Sequence, residues 1–404
     1  MIPMQQKLVI PEKIKYLLGS ENNILNLKHI PALTPFDEQV IAFLNDVSKN
    51  LMSNSFAKKY SDIITFAFWI RKGALMKLKE RFYKEGCFTL GRGLVFHIAP
   101  SNVPVNFAYS LVVGLLCGNV NIIRLPSREF SQIDIILEAF RQVLSRYESL
   151  KSYVICVRYN REKEINDYFS SFADVRVIWG GDNTIAELRK SPLPSRSGEI
   201  AFADRFSVAF IDSDVYMNLE DKDKIANDFY NDTFFSDQNA CTSPRMVIWS
   251  GNSIEMAKKI FWNKEYALVK KKYNFQDIYG VNKLATTYRV SATNVRVKMK
   301  KSPDNLIVRV NVNNVTDYLM DYKESCGYFY EYDCMDIEEL WPLVNDKRCQ
   351  TISYIGERDK FDPLLMRGAK GIDRIVPIGK TMDFDFIWDG YNLYALLTRV
   401  CSKI

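Results

Sequence analysis

From residue 94 onward the chain repeats one pattern: a short run of apolar residues, then a loop, then a stretch of helical character. Leu94-Val95-Phe96-His97-Ile98 opens the series, and residues 120–125, 154–157 and 175–179 continue it. A run that is apolar at nearly every position, rather than at every second one, suits a strand buried on both faces. Strands of that kind alternating with helices form a parallel sheet, because each helical crossover returns the chain to the same edge. Gly118-Asn119 marks one helix end, since glycine takes the left-handed cap conformation at little cost. Pro126-Ser127 reads as the opening of the next helix. The alternation predicts a doubly wound α/β architecture.

The same signals resume further on. Ser207-Val208-Ala209-Phe210-Ile211-Asp212 reads as a strand, a helix is expected from about residue 219 to 230, and Met246-Val247-Ile248-Trp249 reads as another strand. Residues 308–312 form a further strand signal and 337–341 a helix signal. Ahead of the alternation, residues 37–44 show helical periodicity with Asp37 placed to cap them, and 63–70 with the basic segment to Lys84 continue as helix. The tail from Gly371 is rich in aromatics (Phe384, Phe386, Trp388, Tyr391, Tyr394) and is expected to pack back or form a subunit contact. A chain of 404 residues holds roughly two to three domains. The expected division is a helical segment, 1–85, packed on a dinucleotide-binding α/β domain, 86–230; a catalytic α/β domain, 231–370; and a tail, 371–404.

Composition removes several classes. Net charge is +6, and with no long Lys/Arg block the excess reads as spread over the chain. A nucleic-acid reader concentrates its cations, so no nucleic-acid partner is expected. Eight cysteines form no Cys-x-x-Cys pair, and the only histidines are His29 and His97, so no metal site is expected. Cysteines scattered through a long chain point to a reducing compartment. The residues Met1 to Lys7 lack a signal-peptide pattern, and no apolar run of roughly 18 residues appears. A cytoplasmic protein without a transmembrane segment is expected.

One cysteine stands apart. In Phe234-Phe235-Ser236-Asp237-Gln238-Asn239-Ala240-Cys241-Thr242-Ser243-Pro244-Arg245 a thiol sits among small and polar residues, directly before the apolar run 246–249. That places Cys241 on a loop at the mouth of a strand, held by a rigid element yet open to substrate. On the residues alone a nucleophile and a buried structural thiol both remain open.

The stretch Asp237 to Arg245 resembles the nucleophile loop of the aldehyde dehydrogenase superfamily. Ser236-Asp237-Gln238-Asn239-Ala240-Cys241, together with Gly371-Ile372-Asp373-Arg374-Ile375-Val376-Pro377-Ile378-Gly379, resembles the acyl-CoA reductase family of bacterial bioluminescence operons, the LuxC family. The similarity covers about residues 85–395, with four motifs in the family's order. It implies two doubly wound α/β domains with the active site in the cleft between them. It implies that Cys241 forms a covalent thioester, and that Asn102, in Pro100-Ser101-Asn102-Val103-Pro104, donates to the tetrahedral oxyanion, with the Cys241 N–H as second donor. His97 reads better as a hydrogen-bonded strand histidine than as a base.

Cofactor expectations come from the same resemblance. Trp179-Gly180-Gly181-Asp182-Asn183-Thr184 is similar to the superfamily's Gly-Ser turn, which faces the pyrophosphate, so Gly180, Gly181 and Asp182 are expected there. Ile123-Arg124-Leu125-Pro126-Ser127-Arg128 resembles the Leu-Lys-Pro-Ser-Glu segment that grips the adenine ribose. Here Leu125 replaces the Lys, with Arg124 one place earlier, and Arg128 replaces the Glu. A guanidinium there pairs with a 2′-phosphate that a carboxylate repels, so Arg124, Ser127 and Arg128 point to NADPH over NADH. Glu324, in Lys323-Glu324-Ser325-Cys326-Gly327, matches the Glu of the Glu-x-Phe-Gly segment that holds the nicotinamide ribose, although the Phe is not kept.

One expected group is missing. Hydrolytic aldehyde dehydrogenases carry a Glu-Leu-Gly-Gly motif whose Glu activates water; the matching stretch here is Phe202-Ala203-Asp204-Arg205-Phe206-Ser207. Without a positioned base, water attacks the acyl-enzyme slowly, although Asp204 and Glu199 lie close by in sequence. The resemblance therefore implies reduction of an acyl thioester to an aldehyde with NADPH through a Cys241 acyl-enzyme. The acyl donor would be acyl-CoA, long-chain by resemblance, or an acyl-protein synthetase or acyl-carrier partner, and the enzyme a homo-oligomer. An aldehyde dehydrogenase working in the oxidative direction and a non-enzymatic binding module on the same fold are the alternatives.

Overall fold

The computed structural model describes residues 11, 13–84, 88–293, 297–316 and 318–402. The chain divides into two compact units. One comprises the residues up to Ala203 together with those from Tyr391 onward, and the other is Asp204–Gly390.

The first unit is built on a six-stranded sheet. From edge to edge it runs Lys15–Leu18, Val154–Arg158, Val120–Arg124, Leu94–Ile98, Val175–Trp179 and Gly198–Phe202. All neighbours are parallel except the edge strand Lys15–Leu18, which is antiparallel to Val154–Arg158. Counted along the chain from Leu94, the five parallel strands lie in the order 3-2-1-4-5. The winding direction therefore reverses between Leu94–Ile98 and Val175–Trp179, the kind of point where open α/β sheets bind ligands beyond the carboxyl ends of their strands. Every residue of Leu94–Ile98 is buried.

Helices cover this sheet for the reasons their sequences give. Glu38–Ser53 buries Val40, Phe43, Leu44, Val47 and Leu51, one stripe at helical spacing. Asp37 caps it, its carboxylate accepting from the N–H groups of Gln39 (2.9 Å) and Val40 (3.3 Å). Phe43 packs tilted against Phe140 and edge-on against Tyr147, with ring centroids 5.7 and 5.6 Å apart. The helix expected to open at Pro126-Ser127 instead spans Ser131–Leu144. Phe130 before it is extended, and Arg128 lies over the Phe130 ring at 4.8 Å, so residues 126–130 stay a loop. Within the aromatic tail, Thr398–Cys401 pairs antiparallel with Phe88–Gly91.

The second unit has a seven-stranded sheet in the order Val297–Met299, Val308–Val312, Tyr328–Asp333, Pro244–Ser250, Phe206–Asp212, Cys349–Ile355 and Arg374–Pro377. Only Val297–Met299 is antiparallel. Two apolar layers cover its faces. One gathers Phe210, Met246, Tyr330 and Phe361, and the other Trp249, Phe261, Trp262 and Phe329.

Sheet membership corrects the expected domain boundaries. Phe206–Asp212 pairs with Pro244–Ser250 and Cys349–Ile355, so the divide falls after Ala203 and not near residue 230. Arg374–Pro377 completes the second sheet, so the last segment is not a separate tail from residue 371. The helix expected at about 219–230 spans Lys222–Asp232 and is preceded by a second, Ser213–Asn218; each is started by an aspartate, Asp221 and Asp212, whose carboxylate caps the first turn. Leu219 between them is extended.

Gly118 ends the helix Asn106–Leu116 in the left-handed region, at φ +83°, as its position foretold. Its carbonyl accepts from Leu33 N–H (2.9 Å), and an added Cβ would lie 2.2 Å from the Leu33 oxygen. Gly118→Ala is therefore expected to cost about 2 kcal/mol or more, the left-handed penalty plus a backbone clash, seen as an earlier midpoint in urea unfolding. Gly73→Ala, at a helical glycine with nothing within 4 Å, should hold or raise the midpoint.

Candidate active site

In the second unit the chemistry-bearing residues collect where the parallel strands begin. Arg205 enters Phe206–Asp212, Cys241 precedes Pro244–Ser250, Glu324 leads into Tyr328–Asp333, and Asp373 leads into Arg374–Pro377. The sheet register places these entry loops along one edge.

The cysteine loop holds an unfavourable conformation. Asp237 and Gln238 both have positive φ, 52° and 58°, at a cost of roughly 1–2 kcal/mol per residue. The fully buried Gln238 side chain compensates. Its amide donates to the carbonyls of Pro244 (2.8 Å) and Tyr328 (3.2 Å), and its oxygen accepts from the N–H groups of Gly327 (2.8 Å) and Tyr328 (3.2 Å). Tyr273 donates its hydroxyl hydrogen to Asp237 Oδ1 at 2.7 Å, and the Asp237 carbonyl accepts from Cys326 N–H at 3.1 Å. The Cys241 carbonyl is pinned by the Ser207 hydroxyl at 2.7 Å. Among the described residues the Cys241 N–H has no hydrogen-bond acceptor, which leaves it available to an oxyanion.

Cys241 keeps a partly exposed surface while its thiol is almost wholly surrounded by protein. Burial pushes the thiol pKa up, and the carboxylates of Asp389 and Asp204 add to the rise; the Arg205 N–H at the sulfur and the Arg245 guanidinium oppose it. Arg205 is itself fixed by Asp373 (2.5 Å), Asp389 (3.6 Å) and the Cys349 carbonyl (3.2 Å). The buried Arg245 donates to the Glu324 carbonyl (2.7 Å) and to Ser325 Oγ (3.0 Å). The Glu324 carboxylate accepts from Thr286 Oγ1 (3.0 Å) and Ser325 N–H (2.9 Å). Cys241 and Glu324 thus share one framework through Arg245.

The two neighbouring carboxylates are engaged. Asp204 pairs with Lys323 at 2.6 Å. In the first unit Glu199 pairs with Arg176 (2.5 Å) and Arg189 (2.7 Å); burial pushes its carboxyl up, but the two guanidiniums outweigh that and hold it below the usual range.

The expected cofactor segments of the first unit all follow carboxyl ends of adjacent parallel strands. Asn102 lies on an exposed bend after Leu94–Ile98. Arg124 ends Val120–Arg124, stacks over the Tyr159 ring at 4.9 Å and reaches the Tyr159 carbonyl at 3.5 Å. Burial lowers its pKa, and its Nε has no hydrogen-bond partner among the described residues. Ser127 and Arg128 are exposed on the following loop. Gly180 donates its N–H to the Phe202 carbonyl at 3.1 Å, and Gly181 starts the helix Asp182–Arg189. A Cβ at Gly181 would meet nothing within 4 Å, so the helix start is open to a ligand. Asp182, exposed in the first turn, offers acceptors there, which leaves anion contacts to backbone N–H groups. His97 is enclosed between Ser110 Oγ (2.7 Å) and Asn121 Oδ1 (3.0 Å), and burial lowers its pKa to about 4. It is a structural histidine, in line with the sequence reading.

Sequence reasoning assigned no role to Gln238, Arg205, Arg245 or Asp373. Gln238 and Arg245 lay inside the quoted cysteine motif, and Asp373 inside the Gly371–Gly379 motif. Their signal was present without a partner to explain it. Arg205 carried no signal, because its part is played by a backbone N–H.

Solved structures with this architecture include aldehyde dehydrogenases. Lactaldehyde dehydrogenase from Escherichia coli superposes with a TM-score of 0.62 over 93% of this chain and 88% of that one, at 13% identity. Methylmalonate-semialdehyde dehydrogenase from Oceanimonas doudoroffii gives 0.65 over 94% and 89%, at 12% identity. The chain has the aldehyde dehydrogenase fold. Within that class it belongs to the acyl-CoA reductase (LuxC) family, whose model matches residues 26–261. Long-chain acyl-protein thioester reductases from Vibrio harveyi and Aliivibrio fischeri are 24% and 25% identical over 71% and 76% of this chain. The matches span 59% and 63% of those relatives, about three-fifths of their length.

A raised thiol pKa has a direct readout. At neutral pH Cys241 should be alkylated by iodoacetamide more slowly than the exposed Cys401, and its rate should keep climbing above about pH 9. Peptide mass spectrometry separates the two sites; faster labelling of Cys241 at pH 7 would contradict the geometry.

Proposed function

We propose that this protein reduces a long-chain acyl thioester to an aldehyde through an acyl-enzyme on Cys241. One observation carries the reading: a partly exposed thiol at the strand entries has a backbone N–H at its sulfur, while the carboxylates beside the missing Glu-Leu-Gly-Gly position, Asp204 and Glu199, are both bound to cations. Such a site can accept an acyl group, and neither of those two carboxylates is free to activate water. The family match and the thioester reductases among its relatives support the same reading.

The protein's own residues divide the work. The Cys241 sulfur attacks the acyl carbonyl as its proton leaves, the donor thiol departs carrying a proton, and a Cys241 thioester remains. Its N–H, with Asn102 as the second donor, stabilises the tetrahedral oxyanion. Addition of hydride gives a hemithioacetal on Cys241, which collapses to aldehyde and thiol. Because burial raises the Cys241 pKa, acylation is expected to speed up with pH.

The first unit suits a nicotinamide dinucleotide. The open Gly181 helix start and the unpartnered Nε of Arg124 are the observations that fit it. Gly180, Gly181 and Asp182 would lie at the pyrophosphate, and Arg124, Ser127 and Arg128 at the adenosine end. Glu324 would hold the nicotinamide ribose. Bound there, the reduced nicotinamide supplies hydride. The exposed guanidinium of Arg128 favours NADPH. The acyl donor is acyl-CoA or an acyl group held by a synthetase or carrier protein, and the working form is a cytoplasmic homo-oligomer.

The deciding assay follows NADPH oxidation across a panel of acyl-CoA lengths, with mass spectrometry of the acylated protein. Cys241→Ala should bring oxidation to background and abolish the adduct; turnover that survives this substitution would rule the mechanism out. Arg128→Glu should shift the NADPH-to-NADH preference by about tenfold or more toward NADH, the equivalent of one ion pair.

A further inference from the structure

We propose that the outer face of the helix Asp277–Ser291, with the edge strand Val297–Met299 that packs against it, docks an acidic acyl-carrying donor protein. The proposal rests on the thioester-reductase reading and specifies where its protein donor binds.

The face is unusual in its exposure. Ile278, Val281, Leu284 and Tyr288 recur at spacings of three, three and four along the helix, which puts them on one side. They are 55%, 61%, 47% and 66% exposed, and Met299 beside them is 53% exposed. The opposite side of the same helix is already packed, with Gly280, Lys283, Thr286, Thr287 and Val290 buried. The outer stripe is thus surplus to the fold, and a contiguous apolar surface of this kind marks an interaction site.

Its charge indicates what covers it. Residues 278–303 contain no Asp or Glu, yet carry Lys283, Arg289, Arg296, Lys298, Lys300 and Lys301. That local excess equals the +6 of the whole chain, which corrects the expectation of an evenly spread charge. Lys283 turns inward to the carbonyls of Asn305 and Leu306 (2.8 and 3.0 Å), whereas Arg289, Lys298 and Lys301 are exposed. An apolar centre with a cationic rim matches a partner with apolar residues inside an acidic border. A second copy of this chain fits poorly, because a two-fold interface sets the patch against itself and brings like charges together.

The helix also touches the catalytic framework. From its packed side Thr286 donates to Glu324 at 3.0 Å, and the Glu324 carbonyl accepts from Arg245 of the cysteine motif at 2.7 Å. A partner seated on the outer face lies one helix thickness, about 10 Å, from the residue that Arg245 joins to the Cys241 loop.

The test uses the full chain and an acidic acyl carrier protein bearing a long acyl group through a non-transferable amide link. Fluorescence anisotropy should show saturable binding that weakens with salt. Two variants, Val281→Asp with Leu284→Asp and, separately, Lys298→Glu with Lys301→Glu, should each weaken it about tenfold or more. Both should keep kcat/KM for acyl-CoA within about twofold, since neither touches the Cys241 framework. Absence of binding by the wild-type chain, or equal binding by the variants, would overturn the proposal. So would capture of phosphatidylglycerol vesicles by this face in place of the carrier, or a sedimenting dimer that Val281→Asp splits. Reduction of acyl-CoA without carrier binding removes the docking face alone. Carrier binding at this face with no turnover of any thioester removes the reductase reading and leaves the docking face standing.

Discussion

The second unit depends on a single buried carboxamide. Gln238 saturates both ends of its side chain against the first residues of two neighbouring strands, and in doing so holds its own backbone in a left-handed conformation. Without those four hydrogen bonds, the Pro244 and Tyr328 carbonyls and the Gly327 and Tyr328 amides would lose partners inside the protein, at about 1–3 kcal/mol for each buried group left unsatisfied. The loop would also have no reason to keep two consecutive residues at positive φ. The position of Cys241 is therefore a by-product of sheet assembly: once Pro244–Ser250 and Tyr328–Asp333 align, the sulfur has little freedom left.

The two units use opposite ends of their strands. In the first, the segments suited to a dinucleotide follow the carboxyl ends, where a helix start such as Gly181 presents unpaired amides to an anion. In the second, the candidate site residues precede the amino ends, where chain entering the sheet brings Arg205, Cys241, Glu324 and Asp373 to one edge. Fixed positive groups there come from the half-buried guanidinium of Arg205 and the buried one of Arg245. Arg205 and Arg245 each spend their side-chain hydrogen bonds on holding the framework, so their charge is preorganised without being free to move.

Much of this was legible in the sequence, and the gaps have physical causes. Largely apolar runs such as 94–98 and 175–179 declared buried parallel strands, Asp37 declared a helix start, and Gly118 a helix end. Periodicity does not say which sheet a strand joins, however. Residues 206–212 look like any other buried strand, and only their pairing with 244–250 moves the divide to Ala203. Local propensity also misplaced the helix after Pro126, because the extended Phe130 delays its start to Ser131. The Cys241 motif was visible as a string, but its supports were not. Asp373 acts through Arg205, and Arg205 through its backbone, a chain of contacts between residues far apart in sequence. Averaging charge over 404 residues hid the cationic segment 278–303 for a similar reason: function depends on local density, and a sum erases it.

The anchoring of Arg205 has a consequence for how the protein comes into being. The two carboxylates that orient it, Asp373 and Asp389, come well after the cysteine loop in sequence. During synthesis the ribosome releases the cysteine loop long before these acids emerge, so the surroundings of the sulfur are completed only once both have followed it. A nascent or prematurely terminated chain carries the thiol without the frame that aims an amide at it. The order of residues along the polypeptide itself thus keeps the setting of Cys241 unfinished until the rest of the second unit is present to receive it.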